Sequence, residues 1–87
     1  MALYGVEISP KALKFLKTLN KKDLKRVTSA LILLQDFPYP PKAIKLSNID
    51  LYRVRVGNFR ILYKVEDEKL LVLVINVGHR REIYRQI

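Results

Sequence analysis

The side chains able to do chemistry in this sequence are mostly arginines. Arg53, Arg55 and Arg60 lie in a stretch of period two from Leu51 to Tyr63, and His79, Arg80 and Arg81 follow an apolar run near the end of the chain. A guanidinium is a planar fork of donors that stays charged at any working pH and matches the oxygens of a phosphate. Several of them on rigid strands would form a pre-organised phosphodiester site. A solvated, salt-bridged sheet face would use the same residue types. The charge balance favours the anion site. Seventeen Lys and Arg against eight Asp and Glu leave a formal charge of +9 and a pI near 10.0, so too few acids are present to pair the basic face. Such a surface repels itself and suits nucleic acid, an anionic membrane or an acidic protein.

His79 is the lone histidine. Its side-chain type is the one that ordinarily titrates near neutrality, which makes it the candidate for proton transfer, although a single histidine is more often a surface or satisfied residue. Tyr84 could stack on a base or close the edge of the core. Lys21, Lys22, Lys25 and Arg26 suit phosphate contact, an acidic partner or a plain solvated helix face equally well. With no cysteine and one histidine, thiolate chemistry, disulfides and His- or Cys-based metal clusters are excluded. No phosphate-cradling glycine loop, paired-carboxylate site or Ser-His-Asp arrangement is present. No metal or cofactor is expected.

The elements that must hold these residues fit one domain of residues 1–87, with 49% hydrophobic and 29% charged residues. Leu3 to Ile8 alternates and predicts a strand. Ser9-Pro10 then reads as an N-cap with proline at the first helical position, opening a helix to about Leu19. Leu13, Leu16 and Leu19 form its apolar stripe, and Lys11, Lys14 and Lys17 its basic one. Asn20 closes that helix and caps a second, whose stripe is Leu24, Val27, Leu31 and Leu34. Ile32 and Leu33 lie off the stripe as a candidate protein-binding patch. Pro38, Pro40 and Pro41 end the helical hairpin and make a stiff connector.

From Leu51 the period is two, and Gly57-Asn58 is a two-residue hairpin signal that fixes the register. Val56 should face Phe59, Arg55 Arg60, Val54 Ile61, Arg53 Leu62 and Tyr52 Tyr63. Opposing Arg55 to Arg60 destabilises a sheet by about 0.2–1 kcal/mol, which folding alone does not explain. A turn at Glu66-Asp67-Glu68-Lys69 leads to Leu70–Val77, an apolar strand predicted at the sheet centre with both faces nearly covered. The fold class is α+β in the order β-α-α-β-β-β, an antiparallel sheet packed against a two-helix hairpin. No apolar run reaches the roughly 18 residues of a membrane span, and the N-terminal residues lack the pattern of a signal peptide. A cytoplasmic protein with no membrane partner is expected.

Four segments together carry a family resemblance: Ser9-Pro10-Lys11-Ala12-Leu13-Lys14, Lys45-Leu46, the stretch Leu51-Tyr52-Arg53-Val54-Arg55-Val56-Gly57-Asn58-Phe59-Arg60-Ile61-Leu62-Tyr63, and Val77-Gly78-His79-Arg80-Arg81-Glu82-Ile83-Tyr84. In that order they resemble the RelE/ParE toxin superfamily over nearly the whole chain, and specifically its RelE-like messenger-RNA interferases. The resemblance implies a RelE-like fold. It also implies a type II toxin that cuts messenger in the ribosomal decoding site, without metal, by attack of the ribose 2′-hydroxyl. Its implied partners are the ribosome, messenger RNA and an acidic RelB-like antitoxin, the last in a heterotetramer. Arg53 and Arg55 stand where relatives carry basic strand residues, often lysines. Arg60 matches the arginine that holds the scissile phosphate, Arg80 the arginine after the last strand, and Tyr84 the tyrosine that orients the nucleotide. Lys45 and Arg81 join the RNA-binding set. Relatives offer lysine as a possible proton acceptor, whereas an arginine does not deprotonate. Base catalysis would then fall to His79, or be replaced by charge stabilisation and alignment on the ribosome. ParE-like members share the fold and poison DNA gyrase, so a gyrase poison or a non-catalytic basic binding module is the alternative.

Overall fold

In the structure, a computed structural model, residues 3–46 and 51–79 are described. Strand β1 (Gly5–Ile8) runs into Ser9, which serves two elements at once. Its hydroxyl oxygen accepts from the Ala12 amide at 3.1 Å, capping helix α1 (Pro10–Leu16), and donates to the Ile75 carbonyl at 2.6 Å. The helix stops three residues short of Leu19. The Thr18 and Leu19 amides bond the Phe15 and Leu16 carbonyls in i→i−3 fashion, and the Thr18 hydroxyl also donates to Phe15, tightening the last turn out of α geometry. Asn20 accepts from the Asp23 amide at 2.8 Å and starts α2 (Lys21–Asp36).

Both helices lie on one face of a five-stranded sheet ordered β1-β5-β4-β3-β2. Its remaining strands are β2 (Ile44–Lys45), β3 (Tyr52–Val56), β4 (Phe59–Glu66) and β5 (Leu71–His79). The α+β class and the helical hairpin are as the pattern predicts, and the β3–β4 register agrees pair for pair. Gly57 has φ +58°, the conformation a two-residue turn needs at its first central position. Two features differ. β1 lies parallel to β5, with Gly5 opposite Leu71 and Ile8 opposite Val74, so the sheet is mixed, and β2 adds a short antiparallel edge beside β3. Nothing local in a four-residue strand selects its partner or direction, which follow from where the helical hairpin returns the chain.

The core lies between α1, α2 and the inward residues Ile61, Tyr63, Val72, Val74 and Val77. On α1 the buried residues are Ala12 and Leu16, and Leu13 is 43% exposed; on α2, Leu24 is 37% exposed. The predicted stripe is thus rotated on α1, which packs on Ala12 and Leu16, whereas on α2 Val27, Leu31 and Leu34 are buried as the spacing predicts and only Leu24, in the first turn, is left at the surface. β5 is inner but not central, β4 being the middle strand, and its outward Leu71 and Leu73 are only half-buried.

A polar clamp ties three segments at one end of the sheet. The Tyr4 and Tyr39 hydroxyls donate to the two Asp67 oxygens at 2.6 and 2.7 Å, and these bonds, Tyr4 first, hold the Asp67 carboxyl below the usual carboxylate range. A depressed folded pKa gives stability that is present above the unfolded value of about 4 and is lost as pH falls through the folded one. Asp67→Asn should therefore flatten the acid side of the melting temperature against pH, read by thermal denaturation between about pH 2.5 and 5. An unchanged acid limb would show the clamp contributes nothing.

Candidate nucleic-acid interface

The two-residue turn decides which arginines meet. Because side chains alternate along a strand, Arg53 and Arg55 on β3 and Arg60 on β4 all point away from the helices, with Arg55 directly opposite Arg60. Ile44 on β2 lies opposite Arg53, extending the same face to the sheet edge. The connector closes the other side. The Ala43 amide donates to the Pro40 carbonyl at 2.9 Å, making a turn with Pro41 and Lys42 at its centre, proline being favoured at the first central position. These residues and Gly57 enclose a cleft of about 680 Å³ lined by Lys42, Arg53, Arg55 and Arg60. Arg55 is exposed, Arg53 is half-buried and Arg60 is only 6% exposed. A guanidinium held out of bulk water acts on an anion with less dielectric screening than an exposed one.

His79 is elsewhere. Along β5 the ladder pairs Tyr63 with Val74 but Leu62 with Asn76, leaving Ile75 as an extra residue in a bulge. An extra residue reverses the alternation beyond it. Gly78 therefore faces the arginines opposite Arg60, and His79 pairs with Phe59 on the helix side. Its imidazole lies 5.5 Å from the Phe15 ring, edge-on, and 5.2 Å from Phe59. The structure brings Arg53, Arg55 and Arg60 together and separates His79 from them by the sheet.

Lys45 is also off the cleft, since its partner across β2–β3 is Tyr52, whose ring stacks on Tyr63 at 5.8 Å on the helix side. Lys42 takes the place expected of it. The sequence signal for Lys42 was a basic residue directly after a proline pair, which reads as a turn tip. Asn76 was missed as well: it is buried, and the bulge puts it on the arginine face opposite Leu62. Arg80, Arg81 and Tyr84 lie outside the described residues. Among the described residues no group of three or more His, Cys, Asp or Glu could hold a metal ion.

A second depression adjoins the first. It measures about 600 Å³ and runs between the C-terminal half of α2 and β3, floored by Leu34, Val54 and Val56 and flanked by Leu33 and Phe37. Of the predicted protein-binding pair, both are exposed, and Leu33 lines this groove while Ile32 does not.

The chain is similar to known proteins over most of its length. The ParE toxin of type II toxin–antitoxin systems (parDE) is the family whose profile matches, over residues 6–84. An Escherichia coli protein described as a RelE-like toxin is 36% identical over 80 residues, covering 88% of this chain and 83% of its own. Among solved structures, the RelE–RelB complex of Pyrococcus horikoshii matches with a TM-score of 0.81 at 28% identity, covering 90% of this chain and 96% of that one. The isolated Escherichia coli RelE toxin matches with a TM-score of 0.77 at 28% identity, over 95% and 93%.

Proposed function

This chain belongs to the ParE toxin family of type II toxin–antitoxin systems and is a RelE-like toxin, and from that premise we propose that it is a metal-independent endoribonuclease cutting messenger RNA in the ribosomal decoding site. The observation that carries the proposal is the opposed pair Arg55 and Arg60, joined by Arg53 and Lys42 in one cleft on the open sheet face. Four cations in one cleft on a rigid sheet suit a phosphodiester whose charge grows during reaction. The 2′-oxygen bonds to phosphorus as the bond from phosphorus to the 5′-oxygen breaks, leaving a 2′,3′-cyclic phosphate and a 5′-hydroxyl. The proton released from the 2′-hydroxyl is matched by the one the leaving oxygen takes up. Arg60 binds the scissile phosphate. Arg53, Arg55 and Lys42 hold the strand, and Arg80, Arg81 and Tyr84 are assigned to the site by the family resemblance alone.

With His79 across the sheet, positioning on the ribosome and arginine electrostatics do the catalytic work, and His79 packs α1 against the strand end. His79→Ala is thus expected to keep the single-turnover cleavage rate within a few-fold of the parent and to leave the pH–rate profile unchanged. A general acid or base would instead lose about 10²–10⁴-fold, and a loss of that size with an altered profile would return His79 to the catalytic set.

The partners proposed are the ribosome, messenger RNA and an acidic RelB-like antitoxin in a heterotetramer, in the cytoplasm; solved relatives include RelE–RelB complexes. Among the described residues no helix is long and apolar enough to cross a membrane. The ParE profile keeps gyrase poisoning as the competing activity. Primer extension on translated messenger after induction separates them. Cuts in codon register support the nuclease, and DNA breaks with intact messenger support the gyrase poison.

A further inference from the structure

The connector that presents Lys42 to the cleft is tied down at two successive residues. The Pro38 carbonyl accepts from the Tyr63 hydroxyl at 2.8 Å, and the Tyr39 hydroxyl donates to Asp67 Oδ2 at 2.7 Å. Asp67 opens the 3-10 turn between β4 and β5 (Asp67–Lys69), whose backbone is closed by the Leu70 amide on the Asp67 carbonyl at 3.2 Å. Core packing accounts for the first tie, since Tyr63 is fully buried. It does not account for the second. The Tyr39 ring is 46% exposed and edge-on against Tyr52 at 5.1 Å, and its partner Asp67 is exposed as well. A bond between two exposed side chains adds little to folding, but it fixes where the connector lies.

From Tyr39 to Lys42 the chain is stiff. The rings of Pro40 and Pro41 lock their φ angles, and Tyr39 and Pro40, each standing before a proline, are confined to extended ψ. The Ala43 amide on the Pro40 carbonyl closes the turn at the tip. A short arm results, with Tyr39 at its base and Lys42 at its end. We propose that Asp67 is a positioning residue for RNA binding: acting through Tyr39, it fixes the proline arm so that Lys42 is held in the cleft with Arg53 and Arg55. The inference rests on the cleft being the RNA site, as proposed above. A lysine on a fixed backbone meets phosphate without first losing the freedom of a loose loop, and that saving appears as affinity. The sign of the effect is diagnostic. Asp67 is an anion, so by charge alone its removal would raise the affinity for RNA. Removal of a positioning residue lowers it, although Lys42 keeps its charge throughout.

Fluorescence anisotropy of a labelled single-stranded RNA dodecamer on the full chain, repeated over a range of salt, tests this. Tyr39→Phe and Asp67→Ala, both at exposed sites and checked for folding by thermal denaturation, should each weaken binding by about three- to tenfold. Each should also lower the slope of log K against log salt by about 0.7, as one lost phosphate contact on a single strand does. Lys42→Ala should lower the slope equally, and adding it to Tyr39→Phe should lower it no further. Tyr4→Phe removes the other bond to Asp67, leaves that of Tyr39 in place, and should keep dodecamer affinity within about twofold. Clamp variants with a reduced melting temperature but unchanged affinity and salt slope would make the clamp merely structural and overturn the proposal. Tighter binding by Asp67→Ala, or an equal loss in Tyr4→Phe, would overturn it too. A slope lowered by Arg53→Ala but not by Lys42→Ala would overturn the positioning role and leave the cleft assignment standing. A slope indifferent to both would overturn the cleft assignment and the positioning role with it.

Discussion

Arg60→Ala is expected to lower the single-turnover cleavage rate on ribosome-bound messenger by about 10²–10³, the cost of removing one pre-organised donor from a developing oxyanion. The size of the effect follows from place. Arg60 lies on β4, the middle strand of the sheet, with Arg55 opposite it on one side and the side-chain-free Gly78 on the other. At 6% exposure its guanidinium is screened less than Arg55, so its field is felt more strongly by a phosphate that gains charge. Arg55→Ala should behave differently. From an exposed position it should mainly weaken binding and reduce the slope of log K against log salt by about 0.7, as expected for one lost phosphate contact on a single strand. Arg60→Lys restores the charge without the planar fork and should recover only part of the rate. Thermal denaturation of each variant distinguishes a lost donor from a lost fold. A folded Arg60→Ala protein cleaving within a few-fold of the parent would show that the cleft does not hold the scissile phosphate.

What could be foreseen of this site depended on distance along the chain. The β3–β4 register came out pair by pair because a two-residue turn leaves no freedom: once Gly57 and Asn58 are placed, Arg55 must meet Arg60. The caps at Ser9 and Asn20 were equally local. The position of His79 was not. Counting by twos from Val72 and Val74 sends His79 to the arginine face, and the one-residue bulge at Ile75 sends it to the other. That bulge carries no glycine, and a lone Asn76 in an apolar run does not by itself fix where an extra residue falls. Its Ile75 carbonyl is fixed by the Ser9 hydroxyl, 66 residues earlier, so the feature that repositions the histidine is held by a contact no local pattern reveals. The parallel pairing of β1 and the return of Lys42 to the cleft are of the same kind, both set by how the helical hairpin and the proline turn bring the chain back.

Tyr63→Ala is expected to cost about 3–5 kcal/mol of folding stability, as other buried aromatic deletions do, out of a total of about 5–15 kcal/mol for a domain of this kind. Tyr63 is fully buried, stacks on Tyr52 at 5.8 Å with 26° between the rings, and donates its hydroxyl to the Pro38 carbonyl at 2.8 Å. Burial, then Tyr52, pushes that hydroxyl's pKa up to about 12, so the donor stays protonated across the working range. Tyr63→Phe isolates the hydrogen bond. It leaves the ring in place and the Pro38 carbonyl without its donor, and should cost about 1–3 kcal/mol. The loss should also reach the cleft. The proline turn that presents Lys42 begins two residues after Pro38, and without its tie to β4 the turn gains freedom that RNA binding must remove. Urea unfolding should therefore show a lower midpoint with an unchanged m-value, and anisotropy with the RNA dodecamer a lower affinity that Lys42→Ala no longer reduces to the same extent. A Tyr63→Phe protein as stable as the parent would mean that the Pro38 carbonyl is satisfied without Tyr63. A less stable one with unaltered RNA affinity would uncouple the connector from the site.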